Sequence, residues 1–191
     1  NDELSVRNQR NPIEMIKSRV KRPESIFGKL RRRGLPLTVE SMTQNLDDIA
    51  GVRVICSFID DIYDVSRMLA RQDDVRVVAI KDYIRSPKVN GYRSYHMIVE
   101  VPVFFSNCKQ YIRSEVQIRT IAMDFWASLD HQLKYKKEMT EEEAAEIGED
   151  LRKCAEVIAG TDWKMLEIRR KIEDREQMKE FDINKGREKA V

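Results

Sequence analysis

Three groups of residues have the types and spacing to work on phosphates. The first is cationic: residues 17–33 hold Lys17, Arg19, Lys21, Arg22, Lys29, Arg31, Arg32 and Arg33 against one acid, Glu24. Within it Ser25, Lys29 and Arg32 fall at i, i+4 and i+7, which is one face of a helix. Two cations and a hydroxyl on one face suit a phosphate chain, with lysine as a point charge and arginine as a fork. Taken alone, such a run is more often a solvated helix face. The second group consists of acids from distant segments. Asp47 and Asp48, in "LDDIAGVRV", stand at the entry of an apolar strand that carries Arg53. Glu115, Gln117 and Arg119 alternate with Val116 and Ile118, so they share one strand face. An acid at a strand start often only caps a turn. Brought into one cleft, Asp48 and Glu115 could hold Mg²⁺, which takes one or two carboxylates plus substrate phosphates.

The third group opens "NGYRSYHMIVEV", residues 90–101. A plain strand needs only alternation. Here Tyr92, Ser94 and His96 alternate with Arg93 and Tyr95 before an apolar strand takes over. A tyrosine ring beside a cleft can stack on a base. Each residue alone reads as structural, and the set is the signal.

The elements that must position these groups follow from pattern. "RNPIEMIKSRVK" reads as a helix start, with Asn11 as cap, Pro12 at the first helical position and Glu14 completing a capping box. "PESIFGKLRRRG" is a short helix that stops at Gly34, and "TVESMTQNLDD" is another. "IAGVRVICSF", "VRVVAIKDYI", "YHMIVEVPVFF" and "QYIRSEVQIRT" are strands. "DDIYDVSRMLARQ" is an amphipathic helix with Ile62, Val65 and Leu69 on one face. From Ile121 the pattern is helical, and Thr140 to Lys189 reads as one or two exposed helices. Strands mixed with helices and followed by a helical tail give an α/β or α+β class.

Bulk properties narrow the function. The chain has 191 residues, 41% apolar and 36% charged, which suits one domain with a helical arm. A net charge of +2 gives no global affinity for polyanions, so the placement of charge matters. Cys56, Cys108 and Cys154 lack metal-ligand spacing and read as reduced thiols of a cytoplasmic protein. No apolar run reaches membrane-spanning length, and the chain begins at Asn1 without a signal peptide pattern. His96 and His131 are the only histidines and no His-Asp pair occurs, which excludes a His-Asp metal phosphohydrolase. P-loop and dinucleotide-fold fingerprints are absent.

Taken in order, "SRVKRPESIFGKLRRRG", "DDIAGVRV", "GYRSYH", "EVQIRT" and "AMDFWASLDHQLKYK" resemble the RelA/SpoT-type (p)ppGpp synthetase domain. More closely, the chain resembles the small alarmone synthetases of the RelP/RelQ kind, from Asn11 to Lys137. The resemblance implies a mixed five-stranded sheet flanked by helices, related to nucleotidyltransferases. It implies a synthetase domain over residues 1–137 and a C-terminal helical extension over 138–191 that serves oligomerisation, as a homotetramer. The implied activity moves the β,γ-pyrophosphate of ATP to the ribose 3′-OH of GDP or GTP, with Mg²⁺ as cofactor.

The resemblance also implies roles. Arg19 and Arg53 would sandwich the adenine, and Lys21, Ser25, Lys29 and Arg32 would hold the ATP phosphates. Asp48 would bind Mg²⁺, while Glu115 would assist the metal and take the 3′-OH proton. Tyr92 would stack on the guanine, Lys88 would meet the acceptor phosphates, and His96, Gln117 and Arg119 would surround the acceptor. Asp124 stands where some relatives carry Asn, at a position that would contact the guanine edge. Met15 stands where product-activated relatives carry an aromatic residue in the first helix, which argues against activation by alarmone. Two other classes remain open at this level. One is a catalytically idle relative that binds nucleotide or single-stranded RNA through residues 17–33. The other is an oligomeric scaffold built on the charged C-terminal helices. The synthetase reading permits single-stranded RNA as a partner without requiring it.

Overall fold

The structure, a computed structural model, describes residues 10–134 and 140–188. Its elements run β1 (Ile13–Val20), α1 (Pro23–Arg32), α2 (Val39–Asn45), β2 (Ala50–Cys56), α3 (Ile59–Ala70), β3 (Arg76–Asp82), β4 (Tyr95–Phe104), β5 (Lys109–Thr120), α4 (Ile121–Lys134) and α5 (Glu141–Glu188). The strands form one five-stranded sheet in the order β1-β2-β5-β4-β3. β2 and β5 run parallel, and the other neighbouring pairs are antiparallel. The sheet is therefore mixed, as the resemblance implies.

Alternation divides the sheet into two faces. Val54 and Cys56 of β2, Met97 and Val99 of β4, and Val116 and Ile118 of β5 meet Ile59, Ile62 and Val65 of α3 in the main core. The intervening residues, Arg53, His96, Glu115, Gln117 and Arg119, are left to the opposite face. Helix α1 buries Ile26 and Leu30 against Leu46 in a separate small cluster. It ends as its sequence demands: Gly34 takes φ 66°. Leu35 N then donates to Leu30 O and Gly34 N to Arg31 O, at 3.0 Å each, in a Schellman closure.

One expected element is wrong. The segment read as a first helix is the edge strand β1, paired antiparallel with β2 from Ile13↔Cys56 to Val20↔Ala50. The residues that spell a helix start are used otherwise. Asn11 Oδ1 accepts from Ile13 N at 3.0 Å, two residues on. Pro12 O accepts from Ser57 N at 3.1 Å, and Glu14 accepts from Ser57 Oγ at 2.7 Å. Pairing with a buried neighbour strand has overridden a local signature. Met15 and Arg19 therefore project from a strand, and the fifth strand of the sheet is this segment.

The charged C-terminal stretch is a single helix rather than two, and one of its faces is not exposed. Thr140 and Glu143 cap it reciprocally: Glu143 N donates to Thr140 Oγ1 at 3.2 Å and Thr140 N to Glu143 Oε2 at 2.9 Å. Leu151, Ala155, Asp162 and Leu166 are buried along one stripe, and Leu166 joins the main core. Further along, Arg169 pairs with Asp60. Arg10 grips the neighbouring Asp61 at 2.5 and 2.9 Å, and both guanidinium groups stand over the Phe58 ring, at 5.0 and 4.7 Å. The helix is thus tied to the start of α3 by packing and charge. No helix among the described residues is long and apolar enough to cross a membrane.

Leu166→Ala is expected to destabilise the protein by about 2–5 kcal/mol, the range for truncating a buried leucine. Lys164→Ala, on the outer side of the same helix, should stay within about 0.5 kcal/mol. Urea unfolding of the two variants measures the difference.

Candidate active site

Strand register lays the candidate residues out in rows. Lys17, Arg53, Gln117 and His96 are successive cross-strand partners, and so are Arg19, Gly51 and Glu115 one row below. Gly51 contributes no side chain between Arg19 and Glu115, which leaves the floor open. A cleft of about 270 Å³ lies over these rows, lined by Lys17, Arg19, Asp48, Arg53, Glu115 and Gln117, with Gly51 at its floor.

At one end of the cleft Asp48 sits between two lysines. Its Oδ2 accepts from Lys21 Nζ at 2.6 Å and pairs with Lys29 Nζ at 2.8 Å. Burial pushes the carboxyl pKa up, but the two lysines outweigh it and bring it to about 2. Oδ1 of the same carboxylate is buried and has no hydrogen-bond partner. A buried acceptor without a donor calls for a missing partner. Among the described residues no cluster of three or more His, Cys, Asp or Glu could hold a metal by itself. Ser25 and Arg32 lie with Lys29 on α1, which is the helical face expected from their spacing.

At the other end, hydrogen bonds close a ring of side chains. Arg119 Nη2 donates to the Tyr92 hydroxyl at 2.6 Å and to Gln117 Oε1 at 3.0 Å. Arginine has no acceptor, so the phenol accepts there and its own proton is left for His96 Nε2, 2.9 Å away. The opposite ring nitrogen, Nδ1, then carries the imidazole proton and donates to Glu115 Oε1 at 3.1 Å. Gln117 Nε2 donates to Glu115 Oε2 at 2.8 Å. Both paths run from a guanidinium to a carboxylate. The His96 hydrogen bond leads the causes that hold the Glu115 carboxyl below the usual glutamate range; burial opposes it, and Asp48 raises it through space. Asp48 and Glu115 are thus within electrostatic reach of each other.

Around this ring, Asp124 Oδ1 takes Arg53 and Arg119, each at 3.1 Å. Lys88 Nζ stands 4.9 Å from the Tyr83 and Tyr92 ring centres, and Arg119 Cζ lies 5.1 Å from that of Tyr92. The structure therefore gathers the expected residues into two sets. Arg19, Lys21, Lys29, Asp48 and Arg53 form one, and Lys88, Tyr92, His96, Gln117, Arg119 and Asp124 form the other. Glu115 sits between them. Sequence reasoning missed Tyr83, whose ring meets Tyr92 edge-on at 6.0 Å and His96 at 5.2 Å. It also passed over Trp126, packed 6.4 Å from Tyr92. Tyr83 directly follows a strand on the same sheet edge as the polar stretch, which was the available signal.

Comparison with known proteins agrees with this geometry. The family model described as the region found in RelA / SpoT proteins matches residues 18–140. GTP pyrophosphokinase YwaC of Bacillus subtilis is 49% identical over 163 residues, spanning 85% of this chain and 77% of that protein. The solved structure of small alarmone synthetase 1 from Bacillus subtilis bound to its product pppGpp superposes with a TM-score of 0.79. It is 36% identical and covers 90% of this chain and 86% of the other. Small alarmone synthetase 2 from the same organism gives a TM-score of 0.77 at 46% identity, covering 89% and 88%. The order of motifs, the mixed sheet and these matches agree, and the chain belongs to the RelA/SpoT family.

Proposed function

We infer that the chain is a (p)ppGpp synthetase, a GTP pyrophosphokinase that transfers the β,γ-pyrophosphate of ATP to the 3′-OH of GDP or GTP and releases AMP. The observation that carries this reading is Asp48, held by two lysines with one buried oxygen unpartnered, in the same cleft as Glu115. Asp48 meets Lys21 and Lys29 with the kind of anionic oxygen that a triphosphate would also offer them. When ATP arrives, Lys21, Lys29, Ser25 and Arg32 turn to its phosphates, and Asp48 is released. Arg19 and Arg53, one row apart in the cleft, hold the adenine between flat guanidinium faces. Mg²⁺ on Asp48, Glu115 and the ATP phosphates would offset the charge that builds on the departing AMP.

The acceptor lies on the other side of Glu115. Tyr92 offers its ring to the guanine, and Lys88 leaves that ring for the acceptor phosphates. Asp124, His96, Gln117 and Arg119 fix the surroundings. Glu115 accepts one hydrogen bond at each oxygen, so its orientation is set while a lone pair on each oxygen stays free. It takes the 3′-OH proton as the 3′ oxygen bonds to the β-phosphorus. The bond from that phosphorus to the α,β-bridging oxygen breaks, and AMP departs with the oxygen. Neither of this chain's two histidines is needed for a hydrolytic metal site.

Assembly belongs to the same reading. We infer a homotetramer built on α4 and α5. Helix α4 leaves Ile121, Phe125, Leu129 and Leu133 exposed at four-residue spacing, and α5 leaves Met165, Ile168 and Ile172 exposed. A contiguous apolar stripe of this kind is what an interface covers. Light scattering at micromolar concentration should give four chains per particle; a monomer mass rejects it.

Incubation with ATP, Mg²⁺ and GDP or GTP should yield AMP and a 3′-pyrophosphorylated guanine nucleotide. Glu115→Gln keeps the shape but takes no proton, and should lower the rate by about 10²–10⁴-fold while both nucleotides still bind. Asp48→Asn should also abolish transfer and make ATP binding less dependent on Mg²⁺. A Glu115→Gln enzyme retaining a tenth of the rate or more, far outside that range, would reduce Glu115 to an ordinary strand carboxylate.

Tyr92→Ala removes a base-stacking ring and should weaken the guanine nucleotide by about 1–3 kcal/mol, roughly ten- to a hundredfold. ATP binding should change little. Tyr92→Phe keeps the ring and should preserve the acceptor KM, while kcat falls because His96 Nε2 loses its donor. Equal losses for both nucleotides on Tyr92→Ala would make the ring a core element instead.

A further inference from the structure

The turn that carries Lys88 and Tyr92 does not stand free. Gly91 N donates to Lys88 O at 2.8 Å and Lys88 N to Tyr92 O at 3.2 Å, which closes a tight loop. Gly91 holds φ 84° there, a conformation that side-chain-bearing residues rarely adopt. The back of the loop is pressed against α5. A Cβ on Gly91 would fall 2.5 Å from Ala155 Cβ and 3.3 Å from Arg152 Cα. Only glycine on one side and alanine on the other allow so close an approach.

Two polar links fasten the contact. Arg93 Nη1 donates to Gly91 O at 3.2 Å and to Ala155 O at 3.4 Å, joining loop and helix through one guanidinium. Trp126 Nε1 donates to Leu151 O at 3.0 Å, joining α4 to the same stretch of α5. Tyr92 itself packs against the cluster of Trp126, Leu151 and Ala155. None of these helix residues lines the cleft of Lys17, Arg19, Asp48 and Arg53. The contact therefore supports one of the two nucleotide sets and not the other.

We propose that α5 is the backstop of the acceptor site, with Gly91, Arg93 and Ala155 as positioning residues that set the affinity for the guanine nucleotide without touching it. The inference rests on the assignment of Lys88 and Tyr92 to the acceptor. A stacking ring and a phosphate-binding lysine at the two ends of one tight loop must be held in place before the ligand arrives, or binding bears the cost of ordering them. The helix supplies that order from behind. Relieving a 2.5 Å Cβ–Cβ approach shifts the loop, moving ring and ammonium together relative to Glu115, and misplacement on a scale of about 1 Å costs rate and affinity steeply.

Steady-state kinetics of the whole chain, varying GDP and ATP separately, tests the proposal alongside thermal melting. Gly91→Ala should raise the KM for GDP by about tenfold or more and leave the KM for ATP within about twofold. Adding Ala155→Gly should recover only the part of that loss due to the methyl that the new Cβ strikes, because the positive φ and the Arg152 Cα 3.3 Å away remain. Arg93→Ala should give the same one-sided rise, and it decides the matter if Gly91→Ala does not fold. The proposal is overturned if both KM values move together or if neither moves. Tyr92→Ala separates the two layers of argument. If it raises the GDP KM while the Gly91 and Arg93 variants do not, the backstop is wrong and the acceptor assignment stands. If Tyr92→Ala leaves the GDP KM unchanged, the acceptor assignment falls and the backstop falls with it.

Discussion

The arrangement of the site depends on the charge of Arg119. Its side chain is only 5% exposed, and a buried guanidinium must be paired and hydrogen-bonded. Asp124 supplies the counter-charge, and Ser94, Gln117 and Tyr92 each accept from a further guanidinium N–H. These demands orient the phenol and the amide, which in turn orient His96 and both oxygens of Glu115. Each link is directional because arginine only donates and carboxylate only accepts. The flip of Gln117 is fixed by the same logic, since its Oε1 faces Arg119 and its Nε2 faces Glu115. Charge buried at one end thus positions the carboxylate at the other. The placement also explains why β4 must lie beside β5: Tyr92 and His96 reach the network only from that neighbour.

The donor side solves the opposite problem. Lys21 and Lys29 carry like charge close together, and the Asp48 carboxylate between them offsets part of it. The two lysines hold that carboxyl at about 2, against the push of burial. The stabilisation it gives is present above the ordinary aspartate value and fades only as pH falls toward 2. On the proposed reading these ion pairs are the ones a triphosphate would displace, and breaking them would offset part of the gain from binding.

How far the sequence could be read follows from how local each signal is. Strands β2 to β5, helices α1 to α3 and the start of α4 were legible from alternation and helical spacing. The face shared by Glu115, Gln117 and Arg119 followed from strand period alone. β1 was not legible, because Asn11, Pro12 and Glu14 spell a helix start and find their partners in Ser57 and in the next residues instead. Those partners lie across a strand pair that no local window contains. The buried stripe of α5 was hidden in the same way: Leu151, Ala155 and Leu166 are spaced for burial but diluted by a heavily charged helix. That Tyr92, Ser94 and His96 alternate with Arg93 and Tyr95 was legible. The hydrogen bond that joins Tyr92 to His96 was not, since the same phenol is also held by Arg119, 27 residues further along.

Why Glu115 should be the residue where the two halves meet is a matter of topology. β2 and β5 are the one parallel pair in the sheet, so the chain must cross over between them. The crossover carries α3, β3 and β4, and it therefore returns β5 between a strand that brings the lysine-rich donor side and a strand that brings the ring-rich acceptor side. A residue on the open face of β5 has Gly51 on one flank and Ile98 on the other. The glycine leaves the donor side unobstructed, while the buried isoleucine walls the acceptor side off one row below His96. Glu115 is thus reached from the cleft over Gly51 and braced from the row of His96 and Gln117. A carboxylate held in this way is open toward the cleft and fixed on its other sides, which is the asymmetry that the proposed proton acceptor between two substrates would require.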